Sequence, residues 1–413
     1  MKTLLTCWGS FGEIIPIVAM SRKLIERGHE VHICGPSDSK RAFGRDVGSY
    51  TSIFPRFESP EHMQVFTERI FKFNIGWRAV SEVINETAEW NFKLVSDIIE
   101  EHKIDFAFIS WTTPATALAC KKFGVPFQEV NLYPMALYQE SDPPVMPRWR
   151  RITAANRSMD IRKKARLDVA NAYRAMLPDL RNLTEAQGFD PDTFDLFKVA
   201  TPQINRLAAF PRRLLFKEES GVHHLKNFWS TLKPRLHENV LEFLTQGEPA
   251  ILITLGSLIT TRKSRLFDTV LSAVEKLDQK TVVLLGNGSK ESYYTAAGSL
   301  ILGNARLSSI APYCKLVIQH GGINSITETL GAGLPSVCLP MSFDQFDNAR
   351  RLKALNLGDY IIPEKLEQAQ LAATINAVLA NDAIRSSSER WRTDDLLSEG
   401  LDIEEALSLG LAA

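Results

Sequence analysis

The chain has 413 residues, with 48 basic and 48 acidic side chains and a formal net charge of +0. At roughly 100–200 residues per domain this length predicts about two to four domains, and the balanced charge excludes a global basic field for nucleic acid. With 45% hydrophobic and 23% charged residues, the composition is that of a packed globular protein, not of a collagen-like, disordered or coiled-coil chain.

Residues 2–8 predict a strand, Pro16 opens a helix to about residue 26, Gly28-His29 turn the chain, and residues 30–35 predict a second strand. Gly9, Gly12 and Glu13 interrupt the apolar start and no cleavage site follows, so a mature strand is expected there, not a leader. Residues 54–92 carry many aromatics and break the rhythm. A strand at 106–110, a helix to about 122, a turn at Phe123-Gly124 and a strand at 126–131 restore it. Residues 133–149, with Pro134, Pro143, Pro144 and Pro147, break it again. Both interruptions read as insertions above a sheet, where binding loops sit. Residues 210–235 have weak periodicity and read as a connection. Beyond it, residues 250–255, 281–285, 316–319 and 336–339 are short apolar runs beside Gly or Pro, as buried strands are. From about Ser386 the tail reads as helix, with Trp391, Leu396, Leu397 and Leu401 on one face. Strands alternating with helices twice over predict two α/β domains with parallel sheets: 1–210, a linker at 211–240, 241–385, and a tail helix at 386–413.

Five cysteines, Cys7, Cys34, Cys120, Cys314 and Cys338, lie scattered in apolar runs without disulfide or metal-ligand spacing. They predict buried thiols in a reducing compartment, hence a cytoplasmic location. No apolar run approaches about eighteen residues, so no membrane span is expected.

The densest signal is residues 316–348, LVIQHGGINSITETLGAGLPSVCLPMSFDQFDN. A buried strand ends at Gln319, two glycines permit a tight turn, and Asn324-Ser325 precede a helix whose first amides have no intrahelical acceptor. Such amides, the positive end of a helix dipole and the imidazole of His320 make an anion site. Ser325 and Glu328 also stand in the S-x-x-E relation of a capping box, which closes a helix start by itself. On these residues alone both readings stand.

The whole stretch resembles the signature of the family 1 glycosyltransferases, which transfer sugars from nucleotide donors to small molecules. The matching positions are His320, Gly321, Gly322, Asn324, Ser325, Glu328, Gly333, Pro335, Pro340, Asp344, Gln345 and Asn348. The resemblance continues more weakly over nearly the whole chain, including the turn Leu255-Gly256-Ser257. It implies GT-B architecture: two Rossmann-like domains facing each other across a cleft, the acceptor in the N-terminal domain, the nucleotide sugar in the C-terminal one, and a tail helix crossing back to the first. By matching positions, His320 contacts one phosphate, and Gly321, Gly322, Asn324 and Ser325 surround the other. Glu328 accepts from the ribose hydroxyls, Ser257 adds a hydroxyl and an amide, and Asp344 with Gln345 hold the sugar. The base is uracil or thymine, read near residues 305–307, so the expected co-substrate is a UDP-sugar or dTDP-sugar with no cofactor. The close pair Asp190-Pro191-Asp192 reads as a turn, and no metal is expected.

Inverting transfer needs a base to take the acceptor's proton. In one branch of the family, with antibiotic, sterol and rhamnolipid-forming members, a carboxylate follows the motif G-S-x-G. Here Gly9-Ser10-Phe11-Gly12 precede Glu13, one methylene longer than the Asp of that branch. Glu13 is the expected base; the competing reading is an acid placed only to favour a helix dipole. Where histidine members carry an orienting Asp, this chain offers Ser110. Trp111, Tyr133 and Tyr138 are expected to line a cleft for a small hydrophobic acceptor: a lipid, a polyketide or a peptide natural product. A lipid acceptor would bring peripheral membrane contact. His29, His32, His223 and His224 read as structural. Two other functions compete: a non-catalytic homologue that binds a nucleotide sugar or supports a partner enzyme, and a sugar-nucleotide epimerase.

Overall fold

Runs of Ile, Val and Leu too short for helices form the centres of two sheets. The computed structural model describes residues 1–8, 11–36, 48–53, 76–137, 175, 177–191, 206–216, 221–226, 235–256, 265–285, 292–294, 298–303 and 305–412. The chain divides into one unit of Met1–Asn227 with Glu399–Ala413 and another of Phe228–Ser398.

The described strands of the first unit are β1 (Lys2–Thr6), β2 (Glu30–Gly35), β3 (Ser49–Ser52), β4 (Phe106–Ser110), β5 (Phe127–Asn131), β6 (Arg206–Ala208) and β7 (Val222–His224). They pair in the order β3-β2-β1-β4-β5-β6-β7, every pairing parallel. The direction of strand addition reverses between β1 and β4, and in open α/β sheets ligands bind at the carboxyl ends of such a pair. Helix Phe11–Glu26 follows β1, and helix Pro114–Phe123 follows β4. The first of these starts five residues before Pro16, not at it. Pro16 lies in the second turn, where it forfeits only the bond its missing N–H would make to the Gly12 carbonyl. Glu13 is therefore the third helical residue.

The second unit's described strands are β8 (Ala250–Thr254), β9 (Thr281–Leu284), β10 (Ser292–Tyr294), β11 (Leu300–Leu302), β12 (Cys314–Gln319), β13 (Ser336–Cys338) and β14 (Gly358–Tyr360). Their order is β10-β11-β9-β8-β12-β13-β14, parallel except for the β10–β11 edge pair. The period-2 alternation of a strand sends Ile251 and Ile253 into one core with Val283, Ile318 and Val337. Leu252, Val282 and Val317 enter the core on the opposite face. Helices Arg265–Glu275 and Gln368–Leu379 cover the first face, and helix Glu238–Thr245 the second. The switch point here lies between β8 and β12.

Two stretches depart from the expected organisation. Strand β7 falls inside the segment read as a linker, because Val-His-His has too few apolar residues to advertise a strand. The tail is two helices: Asp382–Thr393 stays in the second unit and packs on helix Ile323–Gly331, while Ile403–Leu411 belongs to the first. Between them Gly400 has φ +128°, and Leu401 bridges to Leu225. Asp402 and Glu405 then form a capping box that starts the last helix. Gly410 in that helix lies against the Phe106 ring and Gln128, where any Cβ would collide. Among the described residues no helix is long and apolar enough to cross a membrane, and all five cysteines are buried and free.

Candidate functional site

The residues singled out in the sequence gather at the two switch points, and each constellation is built within its own unit.

In the second unit, β8 and β12 deliver Gly256 and His320 side by side. Gly256 has φ +88°, open to glycine at little strain, and a Cβ there would stand 2.9 Å from both Cε1 and Nε2 of the imidazole. A Cβ at Gly322 would also lie under 3.0 Å from Nε2. Two backbones that only glycine lets approach thus stand against the imidazole. Burial pushes its pKa down from 6.5 to about 4, against an opposite pull from the Thr254 backbone, so the ring is neutral at physiological pH. Its Nδ1 is buried without a hydrogen-bond partner.

Gly322 is also the N-cap of helix Ile323–Gly331 and, as a glycine, has no side chain to cap it. The first intrahelical bond runs from the Ile326 N–H to the Gly322 carbonyl at 3.0 Å, so the leading amides point forward out of the helix. The capping box allowed by the sequence does not form. Glu328 instead turns to helix Leu307–Ile310, where its Oε2 accepts from the Ser308 N–H at 2.8 Å. Desolvation raises the Glu328 pKa, while the Ser308 backbone, Arg306 and the Ser308 hydroxyl lower it. This places Glu328 beside residues 305–307, the segment expected to read the base.

The 341–348 loop closes on the glycine turn. Asn348 Nδ2 donates to the Gly321 carbonyl at 3.0 Å and to Asp344 Oδ2 at 2.5 Å. Asp344 also accepts from the Ile323 N–H, yet desolvation outweighs these bonds and lifts its pKa from 3.8 to about 7. Gln345 Oε1 accepts from the amides of Met341 at 2.8 Å and Ser342 at 3.0 Å, fixing a loop in which Phe343 adopts φ +50°. The Gln345 acceptor is therefore used internally. Beneath the loop, Asp347 is 0% exposed and pairs with Arg351 Nε at 2.7 Å.

In the first unit, Glu13 is 2% exposed, and its carboxylate reaches back along the helix to accept from the Trp8 N–H at 3.0 Å. Its other oxygen accepts from the Thr112 hydroxyl at 3.3 Å, and Ser110 Oγ lies 2.7 Å from Thr112 Oγ1. Ser110 thus occupies the ground where an orienting acid was sought. Thr112, which the sequence reading passed over, makes the direct contact; its only signal there is a hydroxyl two residues past a strand end. Trp111 and Tyr133, following the paired strands β4 and β5, meet edge to face at 5.6 Å with planes at 90°. Trp111 is buried and Tyr133 half-buried.

Ser257, Ser10 and Tyr138 lie outside the described residues, as do Pro143, Pro144, Asp192 and most of residues 54–92. His32 is buried between the Ser49 hydroxyl at 2.6 Å and the Thr51 hydroxyl at 2.9 Å, and His29 pairs with Glu404 at 2.9 Å. Among the described residues, no group of three or more His, Cys, Asp or Glu side chains is arranged to hold a metal ion.

The chain matches, over residues 268–405, the family described as erythromycin biosynthesis protein CIII-like, C-terminal domain. It is 23% identical over 408 residues to O-mycaminosyltylonolide 6-deoxyallosyltransferase of Streptomyces fradiae, covering 94% of this chain and 92% of that one. It is 24% identical over 340 residues to UDP-glucuronosyltransferase 3A1 of Xenopus laevis, covering 75% of this chain but 61% of that relative, less than two thirds of its length. Among solved structures, the glycosyltransferase SnogD from Streptomyces nogalater superposes with a TM-score of 0.67 at 18% identity, covering 100% of this chain and 99% of that one. The glycosyltransferase VinC in complex with dTDP superposes with a TM-score of 0.69 at 16% identity, covering 100% and 99%. The fold is that of the GT-B glycosyltransferases, two parallel-sheet α/β units in one chain. In family match, relatives and fold the chain is similar to GT-B glycosyltransferases of natural-product biosynthesis.

Proposed function

We propose that the chain is an inverting, metal-independent glycosyltransferase that moves a sugar from a UDP-sugar or dTDP-sugar to a hydroxyl of a small hydrophobic acceptor. The observation that carries this reading is the neutral His320 ring held close against Gly256 and Gly322 at the start of a helix whose N-cap is a glycine. A diphosphate suits that place. Forward-pointing amides and a helix dipole stabilise the charge that grows on the leaving group, and a buried imidazole N–H adds a hydrogen bond without competing for a proton. Glu328 beside residues 305–307 suits a ribose next to its base, and dTDP is what the VinC structure holds.

Glu13 removes the proton of the acceptor hydroxyl as that oxygen bonds to the anomeric carbon. The bond from that carbon to the diphosphate breaks on the opposite face, and its electron pair leaves with the phosphate oxygen. Inversion follows from the single displacement. The Trp111–Tyr133 pair supplies apolar surface for the acceptor. No resident metal or cofactor is needed for these steps.

The test is Glu13→Gln, assayed for transfer from UDP- and dTDP-sugars to a panel of hydroxy-lipid, polyketide and peptide acceptors. A general base contributes about 10²–10⁴ in rate, so transfer should fall by that factor while binding of the nucleoside diphosphate is unchanged. One observation favours a second reading, a non-catalytic homologue: Glu13 is 2% exposed with both carboxylate oxygens already hydrogen-bonded. Under that reading the wild type transfers nothing to any acceptor although it binds the nucleotide.

A further inference from the structure

We propose that Thr112 is a positioning residue for Glu13, aiming its carboxylate through a buried hydroxyl relay that runs from Ser110, the last residue of β4, to Thr112. The proposal rests on the reading of Glu13 as the base.

The direction of each contact follows from counting protons. Thr113 Oγ1 donates to the Ser110 carbonyl at 2.9 Å, so its contact with Thr6 Oγ1 at 2.7 Å must be donated by Thr6. The Thr6 oxygen in turn accepts from the Ser110 N–H at 2.9 Å. Thr112 spends its one proton on Glu13, so the 2.7 Å contact between Ser110 and Thr112 is donated by Ser110. These hydroxyls are buried: Thr6 and Ser110 are 0% exposed and Thr112 is 2%. Buried hydroxyls whose donors are all assigned are rigid: the Ser110–Thr112 pair ends on the carboxylate, and the Thr6–Thr113 pair ends on the Ser110 carbonyl and holds that residue's backbone. With Trp8 holding Oε2 and Thr112 holding Oε1, both oxygens are fixed in place.

Thr112→Val keeps the shape and deletes the proton. A hydrogen bond to a charged group is worth enough for a kcat loss of roughly 10–100-fold, with KM for the sugar nucleotide unchanged. The acid limb of the kcat profile should also move to higher pH, because the carboxylate loses a partner that favours its charged form. Cys7 is a titratable group that faces Glu13, and burial holds its thiol far above its ordinary value, so it stays neutral throughout that limb. Thr112→Ser restores both readouts. Should Thr112→Val fail to fold, Ser110→Ala removes the hydroxyl that orients Thr112 without touching Glu13, and should shift the acid limb the same way. Wild-type kcat and acid limb in folded Thr112→Val would overturn the proposal, and so would an unshifted limb in Ser110→Ala. The two readings separate cleanly: an active Glu13→Gln removes the base itself, whereas an inactive Glu13→Gln beside an unperturbed Thr112→Val removes only the positioning role.

Discussion

Gly322→Ala isolates the close approach of Gly322 to His320. The backbone there, φ −67° and ψ 141°, is one any residue adopts, so the substitution introduces no backbone strain. What it introduces is a methyl group under 3.0 Å from the imidazole Nε2 and 3.0 Å from Cε1. Ordinary contact distances begin near 3.5 Å, so the ring must retreat by roughly 1 Å. A hydrogen bond from the ring to a phosphate tolerates only about half an ångström between its shortest and longest useful lengths. Losing a charge-assisted bond costs about 1.5–3 kcal/mol, which is roughly a 10–150-fold rise in Kd for the nucleoside diphosphate. Alanine is also a poorer N-cap than glycine, and calorimetric titrations of wild type, Gly322→Ala, His320→Ala and the double variant separate the two effects. If the methyl acts through the ring, the double variant binds no more weakly than His320→Ala beyond the small cap loss. Fully additive losses, or a Kd within twofold of wild type for folded Gly322→Ala, would refute the role of that approach.

Stability should depend on pH through two groups of opposite sign in the second unit. His320 is lowered from 6.5 to about 4, so the unfolded chain takes up a proton that the folded protein refuses; its contribution is complete above pH 6.5 and is lost as pH falls toward 4. Asp344 is raised from 3.8 to about 7, so its contribution is complete below 3.8 and is lost as pH rises through about 7. Asp344→Asn should therefore make urea-derived stability fall more steeply between pH 6.5 and 4 than in wild type; a shallower fall contradicts the assignment. Arg351→Met removes the 2.7 Å partner of the fully buried Asp347, whose pairing with Arg350 at 3.0 Å remains. It should cost about 3–5 kcal/mol by urea unfolding, and a loss below 1 kcal/mol would show that the remaining partners suffice.

How much was legible depended on what each segment buries. Strands β1, β4, β8, β9, β12 and β13 could be read directly because they are covered on both faces and so carry apolar runs, while β2 and β5, with polar residues interspersed, were legible from the strand–helix rhythm around them. Strand β3, Ser-Tyr-Thr-Ser, is exposed to half-buried at a sheet edge and offers no such run. Strands β7 and β14, Val-His-His and Gly-Asp-Tyr, also sit at edges with mostly polar side chains. The His320–Glu328 motif was legible because its chemistry is consecutive in the chain. The contacts that decide its meaning were not. Glu328 has its partner Ser308 twenty positions away, which is why S-x-x-E could equally be read as a cap. Glu13 meets Thr112 across 99 positions, through a strand pairing that no local pattern announces. Nor did any local pattern announce that Gln345 Oε1 serves as acceptor for two amides of its own loop.

The central claim is a diphosphate site made by His320, the glycine turn and a helix start, working without a metal. Calorimetric titration of the wild-type protein with UDP, dTDP and GDP in EDTA tests it most directly. The account predicts micromolar binding of UDP or dTDP, undiminished by the chelator and lost in His320→Ala. No binding of any of the three by the folded protein, or binding that appears only when a divalent cation is restored, would contradict it.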